Sequence, residues 1–332
     1  MIKVRGPFMA ASAVAAAVLL GGCTSSAPNH PSPSNTILAS TPRADFAGLV
    51  DIGHGRKMYL ECRGRDAPTV ILIAGGFAAG WLFKYAIDRD DPVLSKKYDA
   101  FTAGEGHPRK QPAAVFPAVT KFARVCNYDR PNTTAPEDRK ERNGIVSTPV
   151  RQPHEVQSDV ADLHALLVAA GETGPYVLVA HSYGGLIAEL FSSTYPKEVS
   201  GLVLLDITSQ FLRRTETSQE LTDLVSHGRK AQNGGGERLE LGRAIDAVLA
   251  APAVPAVPTI VFVADKRPKN ASPALTAHIL EANELLAKHM HARLITDTNS
   301  GHNLQVEQPQ LVVSATREVV DAARKTSSSR TP

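Results

Sequence analysis

The stretch Tyr176-Val-Leu-Val-Ala-His-Ser-Tyr-Gly-Gly-Leu-Ile-Ala188 constrains the fold of this chain more than any other segment. Tyr176 to Val179 is a continuous apolar run rich in β-formers, the pattern of a parallel strand buried on both faces. Leu186, Ile187, Leu190 and Phe191 then recur at helical spacing. A strand therefore runs into a helix with almost no loop between them. Ser182 falls at the tip, with the small residues Ala180 and Gly184 two positions to either side. A turn this tight presses against neighbouring backbone, strains the residue at its apex and stands that residue above the sheet. The amides that follow open a helix, where unpaired N–H groups and the helix dipole favour developing negative charge.

This arrangement resembles the nucleophile elbow of the α/β-hydrolase superfamily, G-x-S-x-G, with Ala180 at the first glycine position. Two further segments carry the resemblance. Thr69-Val-Ile-Leu-Ile-Ala-Gly-Gly-Phe77 reads as an earlier buried strand ending in a glycine pair, where the superfamily carries His-Gly-x and this chain has Ala74 in place of the histidine. Ser300-Gly-His-Asn-Leu-Gln-Val-Glu-Gln-Pro309 matches the loop that carries the superfamily's catalytic histidine. The resemblance implies an α/β fold, a mostly parallel sheet with helices on both faces and a helical cap inserted over residues 207–257. It also implies Ser182 as nucleophile, His302 as general base, and the amides of Gly76 and Tyr183 as the oxyanion donors. The triad acid has two candidates: Asp206, directly after the strand Gly201-Leu-Val-Leu-Leu205, and Asp265, after Thr259-Ile-Val-Phe-Val263. The later strand is the superfamily's more usual source, but the aligned position there is Arg267, which cannot orient an imidazolium, so Asp206 is preferred.

The N-terminus reads separately. Lys3 and Arg5 precede a 13-residue core from Phe8 to Leu20, too short to span a bilayer, and Leu20-Gly-Gly-Cys23 closes it. This resembles a bacterial lipoprotein signal over residues 1–22, with Cys23 as the lipidated first residue of a chain anchored on the outer face of a membrane. Residues 23–45, rich in Ser, Pro, Asn and Thr, form a flexible tether; 46–325 form the folded domain and 326–332 a disordered tail. Outside the cytoplasm a disulfide can persist. Cys62 and Cys126 sit in segments that, in the superfamily's strand order, are neighbouring strands, so the resemblance implies that they pair.

Charge excludes one class of partner. The formal charge is +3, and without Lys3 and Arg5 the basic residues number 34 against 33 acidic ones, so neither balance nor any basic run with interleaved aromatics supports nucleic-acid binding. His289 and His291 lack a third ligand at metal spacing, so neither a metal nor another cofactor is expected. Residues 81–112 are an insertion after the oxyanion turn, opening with Trp81-Leu-Phe-Lys-Tyr85, whose aromatics either line an acyl pocket or pack beneath a loop. The expected activity is hydrolysis of a small ester or acyl substrate. A serine elbow argues against epoxide and haloalkane hydrolysis, which need a carboxylate nucleophile; a proline-iminopeptidase-like peptidase and a non-catalytic binding lipoprotein are the alternatives.

Overall fold

The structure is a computed structural model that describes residues 44–87, 109–133, 144–230, 236–267 and 272–328. The expected signal (1–22), Cys23 and nearly all of the tether, together with most of the 81–112 insertion and the last four residues, lie outside the described residues. Strands β1 (Phe46–Gly53), β2 (Arg56–Arg63), β3 (Val70–Ile73), β6 (Val125–Tyr128), β7 (Tyr176–His181), β8 (Val199–Leu205), β9 (Thr259–Phe262) and β10 (Arg293–Ile295) form an eight-stranded sheet in the order β1-β2-β6-β3-β7-β8-β9-β10. The β1–β2 and β2–β6 pairs are antiparallel and all others parallel. Two short strands, β4 (Tyr85–Ala86) and β5 (Arg109–Lys110), pair apart from it.

Alternation along the central strands builds two cores. Ile71, Ile73, Leu178, Ala180, Leu202, Leu204 and Val261 face one side, where they join Leu163, Leu166 and Leu167 of helix α2 (Val156–Ala169) and Leu186, Ile187 and Phe191 of α3 (Gly184–Thr194). Val70, Leu72, Val177, Val179, Val203, Leu205, Ile260 and Phe262 face the other. There they meet Val115, Phe116 and Val119 of α1 (Val115–Val119) and Val312, Val319 and Val320 of α9 (Pro309–Ser328). A period of two sends successive residues to opposite faces, and burial on both faces explains why these strands read as unbroken apolar runs. Helix α9 runs to Ser328, and its apolar stripe packs on the sheet as far as Ala323.

The superfamily expectation for the sheet is met. Between β8 and β9 stand α4 (Leu212–Thr215), α5 (Ser218–Gly228) and α6 (Leu241–Ala250), and α7 (Pro273–His289) links β9 to β10. The chain leaves β3 for β6 on one side and then crosses to β7 on the other, so strand order reverses between β3 and β7. In an open parallel sheet that reversal parts the connecting loops and leaves a crevice at the carboxyl ends of the strands. Cys62 and Cys126 are directly opposed in the β2–β6 register and form a disulfide, with Cα atoms 4.0 Å apart. Trp81 sits against Tyr85 in an edge-to-face contact and packs on the small cluster of Leu82, Ile87 and Val306.

Candidate active site

Ser182 stands at the end of β7 with a left-handed φ of +52°. For a residue with a Cβ this conformation costs on the order of 1–2 kcal/mol and persists only where the surroundings hold it. Here its amide donates to the Leu205 carbonyl at 3.1 Å, and its carbonyl accepts from the amides of Gly185 at 2.9 Å and Thr208 at 3.2 Å. Gly184 admits no substitute: a Cβ there would lie 2.6 Å from the Ile73 carbonyl oxygen and 2.8 Å from that of Ala74. Gly75 is also tight, since its Cβ would meet His181 Nδ1 at 2.8 Å and the Ser182 Cβ at 3.0 Å. Ala180, by contrast, sits wholly buried on the α2–α3 side, which accommodates the methyl group that the superfamily's glycine lacks.

The two expected oxyanion donors lie on either side of this turn. No side chain caps α3, and among the described residues neither the Gly76 nor the Tyr183 amide has an acceptor. Each flanking element is fixed from beneath. The Tyr183 hydroxyl donates to Asp159 at 2.6 Å, and Asp159 also binds His154 Nδ1 at 2.8 Å. The turn after β3 is clamped by Arg130, whose guanidinium donates to the carbonyls of Ala74 at 2.7 Å and Gly75 at 2.6 Å and pairs with Glu237 at 2.9 Å. Glu237, from the segment between β8 and β9, accepts in turn from the Phe77 amide. Both partners of this ion pair are 2 % exposed.

Asp206 follows β8, wholly within the protein, and its Oδ2 lies 2.6 Å from His302 Nδ1. Its Oδ1 accepts from the Ala264 amide at 2.9 Å. The Arg267 guanidinium closes on both oxygens, at 2.9 Å to Oδ2 and 2.8 Å to Oδ1. Burial by itself would raise this carboxyl, but the hydrogen bond from His302 and the charge of Arg267 outweigh it and hold Asp206 well below the usual carboxylate range.

Asp265, the other candidate acid, is committed elsewhere. Its oxygens accept from the amides of Asn299 and Ser300, both at 2.9 Å, and from the Thr298 hydroxyl at 3.3 Å. It shapes the loop that carries His302. Glu307 closes the same loop by accepting from the Gly301 amide at 2.7 Å. His181, between Ala180 and the elbow serine, lies 2.8 Å by Nε2 from the His302 carbonyl oxygen, and its ring centroid is 4.5 Å from that of His302. Burial foremost, then the neighbouring His302, pushes His181 down to about 3, so it is neutral and its Nε2 donates.

The structure thus gathers Ser182, Asp206, His302 and the Gly76 and Tyr183 amides at the carboxyl ends of β3, β7 and β8, where the strand order reverses. Arg130, Glu237 and His181 are site residues that the sequence reading did not single out. His181 alone carried a local signal, its place inside the elbow. Cys62, Cys126 and Glu172 are the one group of potential metal ligands among the described residues; the cysteines are in the disulfide, and Glu172 pairs with Arg124 at 2.7 Å.

The sequence profile of the alpha/beta hydrolase family matches residues 70–315. The chain belongs to that family. The chain is 41 % identical over 63 residues to the lipase LipV of Mycobacterium tuberculosis, covering 19 % of this chain and 24 % of the relative. It is 28 % identical over 156 residues to an uncharacterized protein of Schizosaccharomyces pombe, covering 46 % and 26 %. It therefore spans only about a quarter of the length of these curated relatives. Among solved structures, an alpha/beta hydrolase fold protein from Burkholderia ambifaria matches at a TM-score of 0.53 and 16 % identity, over 82 % of this chain and all of that one, a likeness of fold.

Proposed function

We propose that the protein is a serine hydrolase of carboxylic esters, held by a lipid on Cys23 at the extracytoplasmic face of a bacterial membrane. The observation that carries the catalytic part is the 2.6 Å contact between His302 Nδ1 and buried Asp206, beside a strained serine at a helix N-terminus. With Nδ1 committed to the acid, Nε2 is the nitrogen that exchanges protons. It takes the Ser182 hydroxyl proton as Oγ bonds to the ester carbonyl carbon, whose oxygen becomes an anion. The Gly76 and Tyr183 amides stabilise that anion, a contribution of about 3–4 kcal/mol per donor in such sites. Collapse breaks the bond to the alkoxide, which leaves with the proton from His302 as the alcohol. Water then loses a proton to His302 and adds to the acyl carbon. Cleavage of the acyl–Oγ bond returns that proton to Ser182 and frees the carboxylic acid.

Similarity to part of a protein named a lipase supports an ester substrate, and the signal-like N-terminus supports the anchor. The deciding experiment treats the purified mature domain, beginning after the tether, with a fluorophosphonate probe and then a series of p-nitrophenyl esters. Capture and turnover lost in both Ser182→Ala and His302→Ala are the expected result. Turnover of N-terminal prolyl amides in preference to esters would move the activity to peptidases, and no capture by folded protein would leave a binding lipoprotein. Separately, labelled palmitate incorporated by the wild type and not by Cys23→Ala is expected; equal labelling overturns the anchor.

A further inference from the structure

In the superfamily pattern a carboxylate stands a few residues past β9; this chain has Arg267 there, and the structure turns its guanidinium back onto Asp206. Oδ2 of Asp206 is consequently shared between His302 Nδ1, at 2.6 Å, and Arg267, at 2.9 Å. Arg267 is 15 % exposed and Asp206 2 %, so solvent screens this contact only weakly. Among the described residues, the other titratable groups near the imidazole are His181, from β7, which is neutral, and Glu307, from α8 (Leu304–Glu307), which accepts from the Gly301 amide at 2.7 Å, lies near Lys266 and is pushed up by burial. The charged groups bound at His302 Nδ1 are Asp206 and, through the shared Oδ2, Arg267.

Resting on the serine-hydrolase reading, we propose that Arg267 is a positioning residue of the triad, one that locks the Asp206 carboxylate and offsets part of its charge, so that His302 stays available as a base at lower pH than beside an uncompensated aspartate. The two functions separate by chemistry. Locking needs the planar two-point fork, which lysine lacks; offsetting needs only a positive charge.

The test compares wild type, Arg267→Gln and Arg267→Lys by the pH profile of kcat/KM on a p-nitrophenyl ester, with thermal melts to establish folding. In Arg267→Gln the acidic limb is expected to move up by roughly one pH unit, the usual scale for a charge within a few ångströms. In Arg267→Lys the limb is expected to stay at the wild-type position while kcat falls. A folded Gln variant with an unmoved limb overturns the proposal. If the Gln variant does not fold, the Lys variant decides: an unmoved limb with a lowered kcat supports the proposal, and an upward shift of the limb or an unchanged kcat overturns it. NMR titration of the His302 ring in Ser182→Ala and Ser182→Ala/Arg267→Gln asks the same question without turnover. Loss of fluorophosphonate capture would therefore sink the hydrolase reading while leaving this one measurable: an upward shift of the ring titration on loss of Arg267 supports it, and none overturns it.

Discussion

Arg130 and Arg267 follow strands on opposite sides of β7 and each grips a buried carboxylate, yet they serve the elbow in different ways. Arg130 is enclosed with Glu237, and between them they occupy three carbonyls and one amide of the turn after β3; every contact is structural, and the charges cancel within the pair. Arg267 grips an aspartate that has a second client, His302. The first arginine builds a rigid wall, and the second sits in an electrostatic relay. A buried ion pair is thus a scaffold when both partners are spent on each other and on backbone. It becomes a tuning device when one partner also faces a group that changes protonation.

The sharpest way to break the comparison is at the shared carboxylate. Asp206→Asn is expected to lower kcat/KM by about 10³ to 10⁴-fold, because the amide no longer holds the imidazole in its reactive tautomer. Asp265→Asn, which touches only the loop, should leave most of the activity; steady-state kinetics on the two variants checks this, and equal losses would reverse the assignment.

Next in size is the wall. Arg130→Met strands Glu237 as an unpaired buried charge and is expected to destabilise the protein by about 3–5 kcal/mol in urea unfolding, with Arg130→Met/Glu237→Gln recovering part of the loss. Absence of recovery would mean that the backbone contacts of Arg130, and not its ion pair, are what matter.

Reducing or removing the disulfide in Cys62→Ser/Cys126→Ser is expected to cost about 2–4 kcal/mol, read as a lower Tm, with turnover at ambient temperature unchanged, since the bridge lies between β2 and β6 and away from the elbow.

The last of these sharpens the electrostatics, and near neutral pH it vanishes. His181 is depressed to about 3 when folded, against roughly 6.5 unfolded. Between those values the unfolded chain binds a proton that the folded one does not, so stability falls as pH drops through that window. His181→Asn is expected to flatten the urea midpoint against pH there, and an unchanged slope would assign the loss to other groups.

The elbow was legible in the sequence because its demands are local: a doubly buried strand, small residues at fixed offsets and a helical apolar period. The pairing of Cys62 with Cys126 was implied by the superfamily's strand order, taken with an oxidising compartment. What the sequence did not reveal is contact between side chains far apart along it. Arg130 and Glu237 are separated by 107 residues, and Glu237 sits in a polar segment with no periodicity to mark it. Arg267 was visible as a misfit, an arginine where an acid was expected. Its role required knowing that the loop after β9 folds back over the end of β8. The acid itself was half legible: two aspartates end neighbouring strands, and only the path of the loop from Thr298 to His302 separates the one that shapes the loop from the one that meets the ring.

The place where the chain enters the sheet has a mechanical consequence. Phe46, at the start of edge strand β1, lies opposite Cys62, and Cys62 lies opposite Cys126. A pull on the chain ahead of Phe46 would load β1 end-on and peel it from β2 one rung at a time, the weakest direction for an antiparallel pair. Once β1 is free the load passes through the hairpin to Arg56 and parts the Leu60 and Glu61 rungs of β2 from β6, and the covalent rivet at Cys62 then stops the unzipping before it reaches the strands that carry the elbow.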